Sequence, residues 1–168
     1  IDNGREFNPA KFEEFLNEKG IIYETSNRYT PEQNGIAERS NRVILDKTRT
    51  VITASNIPKF LWEFITDSVT KLINFTPTSK KSISPYQELY DYISPETSNI
   101  PDLSKIYTIG STVYVYKPKE LQIQSDKFEN RSEKGILLGF KGNSSYIVYI
   151  SSRPFKKKVF TTSHIRIC

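Results

Sequence analysis

Two acidic residues in this chain, one in a turn and one at the start of a helix, are of the type that could hold divalent metal together. Asp2 lies in the turn Asp2-Asn3-Gly4, and Glu38 lies in Thr30-Pro31-Glu32-Gln33-Asn34-Gly35-Ile36-Ala37-Glu38-Arg39-Ser40-Asn41-Arg42, with 35 residues between the two acids. Carboxylate oxygens are hard ligands for Mg²⁺ or Mn²⁺, and two such ions about 3.5–4 Å apart activate a nucleophile and stabilise a leaving oxygen. Alone, the pair is also compatible with ordinary surface chemistry. Taken by themselves, Glu38 and Arg42, at i and i+4 on one helix, read first as an exposed ion pair contributing a few tenths of a kcal/mol.

The elements that would position these acids can be read from the pattern around them. Pro31 and Gly35 suit the approach to a helix, and a periodic run from Ile36 to about Ala54 continues it, which places Glu38 near the positive end of the helix dipole. Ile44, Thr48, Val51 and Ile52, with Ala37, fall on one side, whereas Glu38, Arg42 and Arg49 fall on another. Upstream, Asn8-Pro9 opens a helix with Phe12, Phe15 and Leu16 as its apolar stripe, and Gly20 closes it. Ile21 to Thr25 then reads as a short strand. A strand and a helix between Asp2 and Glu38 can return the chain to one sheet edge, so that the acids converge.

Ile57-Pro58 ends the long helix. A second helix is expected over Phe60 to Phe75, with Trp62 in packing, and a short one capped by Ser84 begins at Pro85. Residues 93–104 hold two prolines among Ser, Thr and Asn and read as a linker. Beyond it the period changes to two. Residues 111–116, 135–140, 146–150 and 158–161 are strand candidates, with a hairpin over Lys141 to Ser145. Tyr114, Tyr116, Tyr146 and Tyr149 read as core residues, with stacking on nucleic-acid bases as the alternative, and His164 as a surface one. The expected division is 1–92, a linker over 93–104, and a small β-domain over 105–168.

Composition fixes the class. The chain has 168 residues, 36% of them hydrophobic, including 10 Tyr, 10 Phe and 1 Trp, enough apolar surface to fold. One Cys and one His exclude internal disulfides, thiolate clusters and His-rich metal sites, and suit a reducing, intracellular compartment. No apolar run approaches roughly 18 residues, so no membrane span or membrane partner is expected. The net charge of +5 is uneven: residues 105–168 carry 12 Lys/Arg against 4 Asp/Glu, whereas residues 1–104 carry 12 against 15. A basic C-terminal third suggests a nucleic-acid partner, and it equally suits a solvated surface. With no Met, even at position 1, the chain reads as a piece of a longer polypeptide.

The words around the two acids carry more information than the acids. Asp2-Asn3-Gly4-Arg5-Glu6-Phe7, Tyr29 to Arg42, Phe60-Leu61-Trp62, Leu72 to Thr78, Ser84 to Leu89 and Ser132 to Phe140 together resemble the integrase region of Ty1/copia-type LTR retrotransposon Pol polyproteins, within the wider retroviral integrase family. The resemblance implies an α+β chain comprising the C-terminal half of an RNase H-like catalytic core followed by a small SH3-like β-barrel. It implies an Asp-Asp-Glu polynucleotidyl transferase with two Mg²⁺ (or Mn²⁺) ions, acting on element ends and target DNA as a homo-oligomer, in cytoplasmic virus-like particles and the nucleus. Asp2 and Glu38 match its second Asp and its Glu as metal ligands. Tyr29, Gln33 and Asn34 match the loop that contacts DNA ends, and Arg42 matches a basic phosphate-facing position. Lys156, Lys157 and Lys158 in the following barrel would meet DNA backbone. Glu32 departs from the Gln frequent in relatives, and no residue matches the family's first Asp. An alternative is therefore a non-catalytic DNA-binding remnant, with a host-protein contact through the barrel as a further possibility.

Overall fold

The computed structural model describes residues 10–22, 35–117, 128, 130–142, 144–154 and 157–168. The chain divides into two compact units, Ile1–Val43 and Ile44–Cys168. Its described residues form an α+β arrangement of four α-helices and one antiparallel sheet of five strands.

In the first unit, α1 spans Ala10–Glu18. Gly20 closes it at φ +66°, where only glycine sits without a Cβ penalty, and two hydrogen bonds finish the turn: Gly20 N–H to the Asn17 carbonyl at 3.1 Å and Ile21 N–H to the Leu16 carbonyl at 2.9 Å. The strand expected from Ile21 does not form at Ile21 and Ile22. Ile22 is 87% exposed, and no described strand of this unit supplies the backbone partners that a strand requires. The rest of that expected strand, Tyr23 to Thr25, lies outside the described residues, as does the Asn8-Pro9 helix start.

Helix α2 spans Gly35–Ser55, within a residue of the sequence expectation at each end. Its Thr48 is buried, and Val51 and Ile52 pack on a core cluster. Asn56 at φ 51° takes the left-handed position, and Ile57 N–H returns to the Ile52 carbonyl at 3.3 Å, so the helix stops there. Pro58 leads into a 3₁₀ turn, Lys59–Leu61, and then α3, Trp62–Phe75. Trp62 is half-exposed rather than packed. Helix α4, Pro85–Ile93, begins where the Ser84 hydroxyl accepts from Gln87 N–H at 3.1 Å, a cap that contributes about 1 kcal/mol.

The sheet comprises β1 Thr112–Tyr116, β2 Ser132–Lys141, β3 Ser145–Tyr149, β4 Val159–Thr162 and β5 Ile165–Ile167, in the order β4-β3-β2-β1-β5. The first four make an antiparallel meander, and β5 returns to pair with β1. That return fixes the curvature. Strands at opposite edges of a flat five-stranded sheet would lie roughly 19 Å apart, yet the three residue steps from Thr162 to Ile165 span at most about 11 Å. The sheet must therefore curl. Strand β2 allows it by pairing with β1 over its first half and β3 over its second, with a register shift between Leu137 and Gly139 that bends the strand.

Both faces of the central strands are covered. Val113, Val115, Leu137, Phe140, Tyr146, Val148 and Ile150 fill the inside of the curl. On the other face, Leu138, Ile147 and Tyr149 meet Leu61, Ile65 and Val69 from the 3₁₀ turn and α3. Leu137 and Leu138 thus face opposite ways and both are buried, which is why Ile136-Leu137-Leu138 reads as a continuous apolar run. Each such side chain contributes about 1.5–3 kcal/mol by leaving water.

Candidate functional sites

Glu38 belongs to the first turn of α2, and both it and Arg42, one turn on, are exposed. Among the described residues, no ion pair joins them. The guanidinium of Arg49 pairs instead with Asp46 at 2.6 Å, which leaves the three groups unconnected. An exposed carboxylate at a helix N-terminus, with a guanidinium four residues on, can offer oxygen to a cation and a two-pronged donor to phosphate. Asp2, Tyr29, Gln33, Asn34 and Lys156 lie outside the described residues. No group of three or more His, Cys, Asp or Glu gathers as a metal cluster among the described residues.

The second unit carries Lys157, exposed, and Lys158, half-buried, just before β4. The turn that presents them is fastened to the sheet. Arg153 forms an ion pair with Glu133 of β2, its Nε donating at 2.6 Å, and its guanidinium lies 4.2 Å from the centre of the Phe160 ring. Lys157 N–H donates to the Pro154 carbonyl, and the Lys158 carbonyl accepts from Ile150 N–H, both at 2.8 Å. Neither Arg153 nor Glu133 stood out in sequence, because their pairing spans 20 residues and appears only once β2 and the turn are adjacent.

A cleft of about 210 Å³ opens beside the β2–β3 hairpin, walled by Phe75, Tyr86, Phe140 and Tyr146 and by Asp102 and Lys105 of the segment before β1. The Tyr146 hydroxyl donates to the Lys105 carbonyl at 3.2 Å, and burial, aided by neighbouring Tyr107, raises its pKa above the usual tyrosine value. Hydrogen bonds from Ser104 hold the exposed Asp102 carboxyl below its usual range. Every polar group named here serves the fold of the segment, and none forms a nucleophile–base pair. Among the described residues, no helix is long and apolar enough to cross a membrane.

No family model matches the chain. The chain is 29% identical over 164 residues to the retrovirus-related Pol polyprotein from transposon TNT 1-94 of Nicotiana tabacum, 98% of the chain against 12% of that protein. It is 28% identical to the Pol polyprotein from transposon RE1 of Arabidopsis thaliana, and 30% identical to the transposon Ty1-LR3 Gag-Pol polyprotein of Saccharomyces cerevisiae, in each case over 98% of the chain. It spans 10% and 9% of the length of those two proteins.

Proposed function

Because this chain is homologous over nearly its whole length to Pol polyproteins of Ty1/copia-type transposons, we propose that it is the part of a retrotransposon integrase that carries the Glu of a metal-dependent DNA-joining site. The observation that carries this reading is Glu38, exposed in the first turn of a long helix with Arg42 one turn on, within a chain of that ancestry. In this reading α1 and α2 belong to the C-terminal half of an RNase H-like core, and the curled sheet is an SH3-like barrel. The strand order and the two-residue link between β4 and β5 support the second assignment.

Glu38 fits a cation ligand: its oxygens are hard donors, they are exposed, and no ion pair to Arg42 occupies them. Asp2 is the second proposed ligand. The chemistry supplied by bound Mg²⁺ or Mn²⁺ is activation of an attacking oxygen and stabilisation of the leaving one. The chain's own groups bind and orient the DNA. Arg42 supplies a bidentate donor to a phosphate, while Tyr29, Gln33 and Asn34 supply hydrogen bonds to the DNA end. Lys156, Lys157 and Lys158 supply backbone contacts that carry no sequence information.

The reading is tested by assaying joining of an element-end duplex to a target duplex, with the chain expressed together with its flanking Pol sequence. Joining is expected in Mg²⁺ and none after chelation with EDTA; joining that persists in EDTA would rule out the metal-dependent reading. A second expectation concerns the lysines. Replacing Lys156, Lys157 and Lys158 with Gln should flatten the dependence of duplex affinity on salt by up to about 2.7 in the slope of log K against log salt, at roughly 0.9 per contact. An unchanged slope in a salt titration would remove these lysines from the interface.

A further inference from the structure

Two of the four tyrosines assigned to the core from sequence are not in it. Tyr146 and Tyr149 are buried, whereas Tyr114 and Tyr116 are 38% and 48% exposed. The reason lies in β1. Its alternate residues Val113 and Val115 fill the inside of the curl, so Tyr114 and Tyr116 must point outward. Among the described residues, no helix covers this outer face as α3 covers that of β2 and β3.

The register shows what accompanies them. Tyr114 lies directly opposite Lys134 of β2 on one side and Arg166 of β5 on the other. Directly opposed residues share a face, so the three make one row across the sheet, a phenol between two cations. One strand period along, Tyr116 lies opposite Ser132, and its N–H donates to the His164 carbonyl at 3.2 Å. Tyr114, Tyr116, Ser132, His164 and Arg166 line one open groove. Lys134 and Arg166 are exposed, and among the described residues no carboxylate pairs with either. Strands β1 and β5 contain no Asp or Glu, and the one acid of β2, Glu133, is held by Arg153.

From this row we infer that the outer face of β1, β2 and β5 binds single-stranded polynucleotide. Tyr114 and Tyr116 stack bases, and Lys134 and Arg166 meet the flanking phosphates. Exposed aromatic rings beside cations, in a row of β1, β2 and β5 residues that holds no acid, are the components of such a platform, since every base presents a ring face. Residues i and i+2 of a strand are about 6.6 Å apart, close to two of the roughly 3.4 Å steps along a nucleic-acid strand. A duplex keeps its bases stacked inside and could use only the two cations. The surface is independent of Glu38 and of the joining reaction, so each can fail without the other.

The test is fluorescence anisotropy of the 168-residue chain with labelled oligothymidylate and oligouridylate of about 20 nucleotides, longer than a typical site of at most ~16. A duplex of equal length and polyglutamate serve as comparators. Single strands should bind more tightly than duplex. Tyr114→Ala and Tyr116→Ala should each weaken single-strand binding at least about fivefold while duplex affinity stays constant, and Tyr114→Phe and Tyr116→Phe should bind as the parent chain does. Lys134→Gln and Arg166→Gln should each lower the single-strand salt slope by about 0.7. The preferred oligonucleotide distinguishes DNA from RNA as the ligand. Folded alanine variants that bind like the parent chain, or polyglutamate binding as tightly as oligonucleotide, would overturn the inference. Should the alanine variants unfold, unchanged salt slopes in Lys134→Gln and Arg166→Gln would overturn it equally.

Discussion

Glu38→Gln should lower DNA joining in Mg²⁺ by more than about 100-fold, the upper end of what losing even an outer partner of a metal ligand costs. DNA affinity should change little. The substitution preserves shape and removes only the charge and one anionic oxygen, so a structural role predicts a different outcome. Glu38 is exposed in the first turn of α2, where the helix dipole makes a negative charge favourable by about 0.3–1 kcal/mol. A residue that acted only through the helix would therefore cost a fraction of that in stability and leave joining nearly intact. Measuring joining rate, DNA affinity and unfolding midpoint on the same preparation separates the two. A loss confined to the rate supports the ligand role, and a rate within about tenfold of the parent's would remove Glu38 from the site.

The largest effect on stability is expected at Gly139. This residue sits at the register shift of β2, where the strand crosses α3. A Cβ at this position would lie 1.6 Å from Ser68 Oγ and 2.7 Å from Ser68 Cβ. Ser68 cannot yield easily, because it is completely buried in the face that α3 turns to the sheet. Gly139→Ala should therefore cost about 3 kcal/mol, the upper end of ordinary overpacking, measured as the change in unfolding free energy by urea titration. The hydroxyl involved has no hydrogen-bond partner among the described residues, so its removal leaves no donor behind. Ser68→Gly combined with Gly139→Ala should recover at least about 1 kcal/mol relative to the sum of the single changes, even though glycine within a helix costs up to about 1 kcal/mol. Additive losses would mean that the helix and strand do not approach so closely.

These two residues illustrate what the sequence makes visible. Helix limits are local, since they depend on Gly20, Ser84 and the apolar period, and the observed α1, α2 and α4 follow those signals. Four strands were legible for the same reason. The fifth, Ile165–Ile167, is three residues long, so its one apolar–polar–apolar alternation is too short to stand out; it exists because β1 offers it an unpaired edge. Strand β2 likewise begins at Ser132, earlier than its apolar run, because β1 pairs with its polar start. Which face of a strand is covered is a tertiary fact. Alternation put Tyr114 and Tyr116 on one side of β1, and only the position of the curl's interior shows that this side faces water. The close contact at Gly139 joins residues 71 positions apart and leaves no trace in local pattern. For the candidate site the balance is reversed. Glu38 and Arg42 stood out through the words around them, while the helix alone suggested an ion pair that is not formed.

A divalent cation held by Glu38, as proposed, can be located directly. Mn²⁺ is paramagnetic and broadens the NMR signals of nearby nuclei, which makes its position readable without turnover. Titrated into the chain expressed with its flanking Pol sequence, Mn²⁺ is predicted to broaden the backbone amides of the first turns of α2, from Gly35 to Arg42, selectively and at low concentration, and excess Mg²⁺ should reverse the effect. Glu38→Gln should abolish it. Broadening that is uniform along α2, or unchanged in Glu38→Gln, would contradict the assignment.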